Sequence, residues 1–178
     1  NIVWFLAAGS ELKPTTTQLF KYDHSTTTWT DFTSKIPALG GNVGNYNTQS
    51  SYNMVMAVKP DDENAVFIAG TTLWRSKDSF TSPAVAANTG NTTWIGGYSP
   101  DNNISSYPGH HPDVHELIFF PNIPSKALCG HDGGVSVTTN IMANDGVPAN
   151  KTKPHPVTWT LLNNGLFTTQ AYAISIDP

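Results

Sequence analysis

The sequence predicts an all-β fold built from repeated small sheets, and three observations carry that prediction. Short apolar segments rich in Val, Ile, Phe, Tyr and Trp are separated by clusters of Gly, Asn, Asp, Ser and Pro, and no stretch of ten or more residues shows helical spacing between caps. A hairpin signal, Asp132-Gly133-Gly134, lies between Ala127-Leu128-Cys129-Gly130 and Val135-Ser136-Val137, where glycine supplies the positive φ of a tight turn. Finally, Trp29, Trp94 and Trp159 recur at an interval of 65 residues, each behind a threonine. A fixed period is the signature of a repeat architecture, and four short strands per period describe the blade of a β-propeller.

Taken in order, the chain opens with Ile2 to Gly9 as the second strand of a first unit, followed by Leu19 to Asp23 and by Thr28-Trp29-Thr30 as its third and fourth strands. The second unit reads as Ser51 to Pro60, Ala65 to Gly70, Thr72 to Ser76 and Trp94-Ile95. The third reads as Pro112 to Pro121, Ala127 to Gly130, Val135 to Val137 and Val157 to Leu161, with Ala127 to Gly130 matched to Ala65 to Gly70. Asn163-Asn164-Gly165-Leu166 is a turn, and Ala171 to Pro178 repeats the first strand of a unit. The expected organisation is a partial blade over 1–37, blades over 38–100 and 101–165, and the first strand of a next blade over 166–178. That makes about three four-stranded blades in one propeller domain, truncated mid-blade at both ends and completed by remaining blades of the same chain or by other copies.

The 178 residues suit one domain, with only 12% charged side chains and a net charge of −4. No basic footprint for nucleic acid exists, and no apolar run approaches the ~18 residues of a membrane helix. The neutral, Thr-, Ser- and Asn-rich surface suits life outside the cell, and the absence of an initiator Met suits a processed or excised segment. Asn91-Thr92-Thr93, Asn103-Ile104-Ser105 and Asn150-Lys151-Thr152 fit the glycosylation sequon. Cys129, the one cysteine, is expected to be a buried, inert thiol. Gly40-Gly41-Asn42-Val43-Gly44 precedes no helix and is no phosphate loop.

Chemistry concentrates at His111-Pro112-Asp113-Val114-His115, where His111, Asp113 and His115 alternate along the start of a strand and should share a face. His131-Asp132 approaches from the next hairpin. Imidazole and carboxylate at alternate positions can converge on an ion or a substrate. They also form hydrogen-bond networks that tie a strand to its neighbours, and this is the preferred reading. No resident metal or cofactor is expected. Asp113 and Asp132 are the best carboxylate pair for glycoside hydrolysis, while His111, His115, His131 and Tyr107 are candidate ligand-binding residues. Tyr46, Tyr98 and Tyr107 fall in loops and are candidates for ligand stacking, whereas the three periodic tryptophans read as packing residues and Arg75 as a surface or loop contact.

Ser76-Lys77-Asp78 with Thr93-Trp94 resembles the Asp-box of the bacterial neuraminidase repeat, with Phe80 where glycine is usual. Asp23 with Thr28-Trp29, and Thr138-Thr139-Asn140 with Thr158-Trp159, are worn copies. The order of Tyr52 to Pro60, Gly70 to Asp78, His111 to His115, Asp132-Gly133-Gly134, Trp159, Asn164-Gly165-Leu166 and Gln170-Ala171-Tyr172 is similar to the sortilin-like and xyloglucanase-like propellers of large secreted bacterial proteins. That resemblance implies an extracellular or cell-surface location, a link to type IX secretion machinery, and a glycan- or protein-binding module. The alternative it implies is a xyloglucanase-like glycoside hydrolase whose site is shared with blades outside this segment. A sialidase site would need several arginines, and Arg75 is the one arginine here.

Overall fold

In the computed structural model, the described residues are 1–8, 17–39, 45–85, 90–99, 103–143 and 157–165. They form three antiparallel sheets and a single 3-10 turn at Thr33–Lys35, so the all-β class expected from the sequence is correct. The first sheet contains β1 (Ile2–Ala7), β2 (Gln18–Asp23) and β3 (Thr28–Asp31) in that order. The middle sheet contains β4 (Val55–Lys59), β5 (Asp62–Ala69), β6 (Thr72–Ser76), β7 (Thr92–Ser99) and β8 (Asn103–Ser106). The third contains β9 (Val114–Phe120), β10 (Ile123–His131), β11 (Gly134–Thr138) and β12 (Thr160–Leu161). Each sheet is an up-and-down meander, as hairpin-linked strands dictate. The expected strand at Ala171 to Pro178 lies outside the described residues.

Two details depart from the sequence reading. The boundary drawn after residue 100 would give β8 to the third unit, yet the pairing of Tyr98 with Ser106 attaches it to the middle sheet as a fifth strand. The match of Ala65 to Gly70 with Ala127 to Gly130 also takes a register that does not align their final glycines. Met56 faces Ile68, and its counterpart Leu117 faces Cys129, so Ile68 and Cys129 hold the same place. A register shift between Gly130 and His131 absorbs the extra residue, and a one-residue slip exchanges the faces of a strand.

The middle sheet is the centre of the core. Ala65 to Ala69, Thr72 to Ser76 and Thr92 to Gly97 are buried on both faces, and Trp74 pairs directly with Trp94. Their indole N–H groups are satisfied locally, Trp74 by Thr72 Oγ1 at 2.8 Å and Trp94 by the Gly96 carbonyl at 2.7 Å. The third sheet packs on it through Phe119 against Phe67, ring centroids 5.4 Å apart, and through Trp159, which donates to the Ile95 carbonyl at 2.7 Å.

Arg75 corrects another expectation. It is fully buried rather than on the surface, and it donates from Nη1 to the carbonyls of Ile141 (2.6 Å) and Ala143 (3.0 Å) and from Nη2 to Thr93 Oγ1 (3.2 Å). Burial lowers its pKa to about 10, and no carboxylate among the described residues balances it.

The turn between β6 and β7 has the hydrogen bonding that its Ser-x-Asp pattern predicts. Ser76 Oγ accepts from Phe80 N at 2.7 Å and donates to Asp78 Oδ1 at 2.9 Å, while Asp78 Oδ2 accepts from Ser82 N and Asn91 Nδ2. Burial alone would raise the Asp78 pKa, but hydrogen bonds from Ser82, Ser76, Thr81 and Asn91 outweigh it and bring the value to about 2. Phe80 adopts φ 55° where glycine would be unstrained, and its ring is fully buried. The next turn repeats the arrangement in outline, with Thr138 Oγ1 accepting from Asn140 N and Asn140 Oδ1 from Met142 N.

Candidate functional site

The candidate residues meet where the middle and third sheets adjoin, at the start of β9. The segment before β4 reaches this seam because it lies against the turn joining β5 to β6. Tyr46 donates to the Ala69 carbonyl at 2.8 Å, Thr71 N donates to Asn47 O at 2.9 Å, and a side chain at Gly70 would meet Asn47 O at 2.1 Å. Only glycine permits that approach. Val114 N then donates to Gly70 O at 2.8 Å, which fixes the head of β9 to the middle sheet.

His111, Asp113 and His115 do not alternate along one extended strand. β9 begins at Val114, and Asp113 sits in the left-handed region at φ 61°, which Asp tolerates better than most residues. The turn nevertheless brings Asp113 and His115 to Asp132. Asp132 N donates to Asp113 O at 3.1 Å, and His115 Nε2 donates to Asp132 Oδ1 at 2.5 Å. Both side chains of that pair remain partly exposed.

Two further residues complete the group, and sequence reasoning did not place them in it. Tyr52 donates its hydroxyl to the same Asp132 Oδ1 at 3.3 Å, and its ring stands edge-on to His115 with centroids 5.0 Å apart. Asn53 Nδ2 donates to Asp113 Oδ1 at 2.9 Å, while its Oδ1 has no partner among the described residues. The signal was the repeat itself, because aligning Ser51 to Pro60 with Pro112 to Pro121 sets Tyr52 over Asp113 and Asn53 over Val114. Burial, and then the negative charge of Asp132, raise the Asp113 pKa. Asp132 Oδ1 accepts from both Tyr52 and His115.

His110, His111 and His131 cluster beside this group. His131 is buried and belongs to the wall rather than to an open ligand surface, a correction to the sequence reading. Ser136 Oγ donates to Gly109 O at 2.7 Å and so accepts from His131 Nε2 at 2.8 Å, leaving His131 Nδ1 unpartnered among the described residues. His110 Nδ1 accepts from Gly97 N at 3.2 Å, so its Nε2 carries the proton and faces Cys129 Sγ at 3.1 Å. Burial holds both rings neutral, aided by the neighbouring imidazoles, with pKa values of about 3 for His110 and about 4 for His131. Cys129 is buried as expected, and desolvation raises its thiol pKa far out of the nucleophilic range. His111 places its ring 5.9 Å from that of His131, with Nδ1 against Pro112 O.

Tyr107 is not a stacking platform. Its ring is buried against Trp94, and its hydroxyl donates to Val157 O and accepts from Val157 N. Tyr46 is likewise buried, and Tyr98 lies on β7. Among the described residues, no group of three or more His, Cys, Asp and Glu side chains is arranged to hold a metal ion, and no helix is long and apolar enough to cross a membrane. A cleft of about 260 Å³ borders Tyr107, Pro108, Gly109, Val157, Thr158 and Trp159, but the one ionisable group lining it, the Tyr107 hydroxyl, is committed to Val157.

Comparison with protein-family models, curated proteins and solved structures found no match to this chain.

Proposed function

We propose that the chain is a run of β-propeller blades of the Asp-box, sortilin-like or xyloglucanase-like type, acting as a glycan-binding module of a secreted or cell-surface bacterial protein. The observation that carries this reading is the shared carboxylate of Asp132, which takes a hydrogen bond from Tyr52, in the turn before β4, and from His115 on β9. An exposed aromatic ring beside a fixed carboxylate and imidazole suits a sugar, whose apolar face stacks while its hydroxyls pair with the polar groups. The Ser76 and Asp78 hydrogen bonds support the Asp-box type, and the low charge of the chain supports a location outside the cell. Calorimetric titration with xyloglucan and cello-oligosaccharides tests the proposal. Saturable binding lost in Asp132→Asn and Tyr52→Ala, with the far-ultraviolet spectrum unchanged, is expected; no binding to any glycan tested overturns it.

A second reading has one specific observation behind it. Burial and the nearby Asp132 carboxylate raise the pKa of Asp113, and two neighbouring carboxyl groups are what a glycoside hydrolase uses for its acid and its base. Release of reducing ends from a bound glycan, abolished in Asp113→Asn, would convert the binding module into an enzyme.

A further inference from the structure

Among the described residues, the two outer faces of the three sheets carry exposed apolar side chains. On the first sheet, Val3 stands opposite Tyr22, which stands opposite Trp29, and Phe5 lies beside them, its ring 5.0 Å from that of Trp29. Trp29 is 59% exposed, Val3 45% and Phe5 44%. The other face of β1 carries Trp4 and Leu6, which pack against the core. A strand apolar on both faces is the pattern of a strand buried on both, as Ala65 to Ala69 is in the middle sheet. At the far end of the stack, the third sheet turns Ile118 (54% exposed) and Val135 to solvent.

These two faces are the halves of an interface the chain already forms. Trp159 lies on the leading face of the third sheet and donates to a carbonyl of the sheet before it. Trp29 holds the same place in its own unit, one residue behind a threonine and two periods earlier, but no sheet lies before it among the described residues. Conversely, the trailing face of the middle sheet, with Phe67 and Arg75, is covered by the third sheet, whereas no sheet among the described residues covers the trailing face of the third. We propose that this exposed trailing face of one copy, around Ile118 and Val135, docks on the leading face of a second copy, around Trp29 and Phe5. The contact is heterologous, so each copy offers one half at each end. The proposal does not depend on the ligand of the Asp132 group.

Light scattering on the 178-residue chain is the test. An interface with a dissociation constant on the order of 10 micromolar makes the mass at ~100 micromolar exceed one copy of 19.2 kDa and fall on dilution. Trp29→Lys and Ile118→Lys, both exposed positions whose folding circular dichroism can verify, should each weaken self-association at least tenfold. A one-to-one mixture of the two variants retains one intact pair of faces and should form dimers and nothing larger. A folded wild type that stays at one copy throughout overturns the proposal, as does a mixture that fails to pair. Trp29 emission that answers to an oligosaccharide in a strictly monomeric wild type would assign the patch to a glycan instead.

Discussion

Arg75 donates a 2.6 Å hydrogen bond to the carbonyl of Ile141, joining the middle sheet to the end of the third-sheet hairpin from a fully buried position. A second bond to the carbonyl of Ala143 makes it a two-point clamp. Arg75→Ala should cost about 3 to 5 kcal/mol, since it leaves a cavity and strands two carbonyls. Arg75→Met refills the volume and should recover part of that loss. Urea unfolding of the two variants checks the order; equal stability of wild type and Ala would mean the clamp contributes nothing net.

Phe80 and Ser79 both adopt left-handed backbone, at φ 55° and 56°. The conformation costs an L-residue roughly 1 to 2 kcal/mol, whereas deleting a buried phenyl ring costs about 3 to 5 kcal/mol. Phe80→Gly is therefore expected to destabilise, because burial outweighs strain. Ser79 makes only long side-chain contacts, 3.4 and 3.5 Å, so Ser79→Gly should be neutral or stabilising by up to ~1 kcal/mol. Thermal midpoints of the two variants shifting in the same direction by similar amounts would contradict this assignment.

His110 and His131 set an acid limit on stability. Their folded pKa values, about 3 and about 4, lie below the ordinary ~6.5, so the unfolded chain takes up protons first as pH falls. Their contribution is complete above about pH 6.5 and is lost progressively down to pH 3 to 4, on the order of a few kcal/mol together. The measurement is the urea midpoint against pH, with His110→Asn flattening the fall between pH 6.5 and 4. A wild-type midpoint that does not change across that window would show that neither ring stays neutral on folding.

Gly134 takes φ 114°, and a Cβ there would meet Asn163 Oδ1 at 2.1 Å. Asn163 braces the hairpin by accepting from Val135 N at 3.2 Å and donating to the Gly133 carbonyl. Gly134→Ala should cost more than the roughly 1 kcal/mol of backbone strain alone, because the brace must move as well. If Gly134→Ala in an Asn163→Ala background costs as much as in the wild type, the brace is not the reason.

Much of the fold was legible because it is local. Alternating apolar residues, prolines and Asp-Gly turns specify strands and hairpins over a few residues, and the strands other than β8 fall on the segments they mark. β8 was hidden because Asn103–Ser106 carries no apolar run and is a strand only through its pairing with Tyr98 and Ser99. Within the candidate site, His115 and Asp132 were visible as chemistry, but the departure of Asp113 from the strand was not, since a left-handed aspartate leaves no trace in side-chain periodicity.

By itself the sequence determined the all-β class, the recurrence of Thr-Trp every 65 residues, the hairpin turns and the inert thiol of Cys129, all properties of backbone preference and local pattern. Only the tertiary structure decided which residues meet. Tyr52 reaches Asp132 across 80 positions because the turn before β4 lies against the head of β9, where Asn53 meets Asp113. Likewise, Trp29, Trp94 and Trp159 are equivalent in sequence but range from 59% exposed to fully buried. Burial depends on what is stacked against a face, and no single strand encodes its own cover.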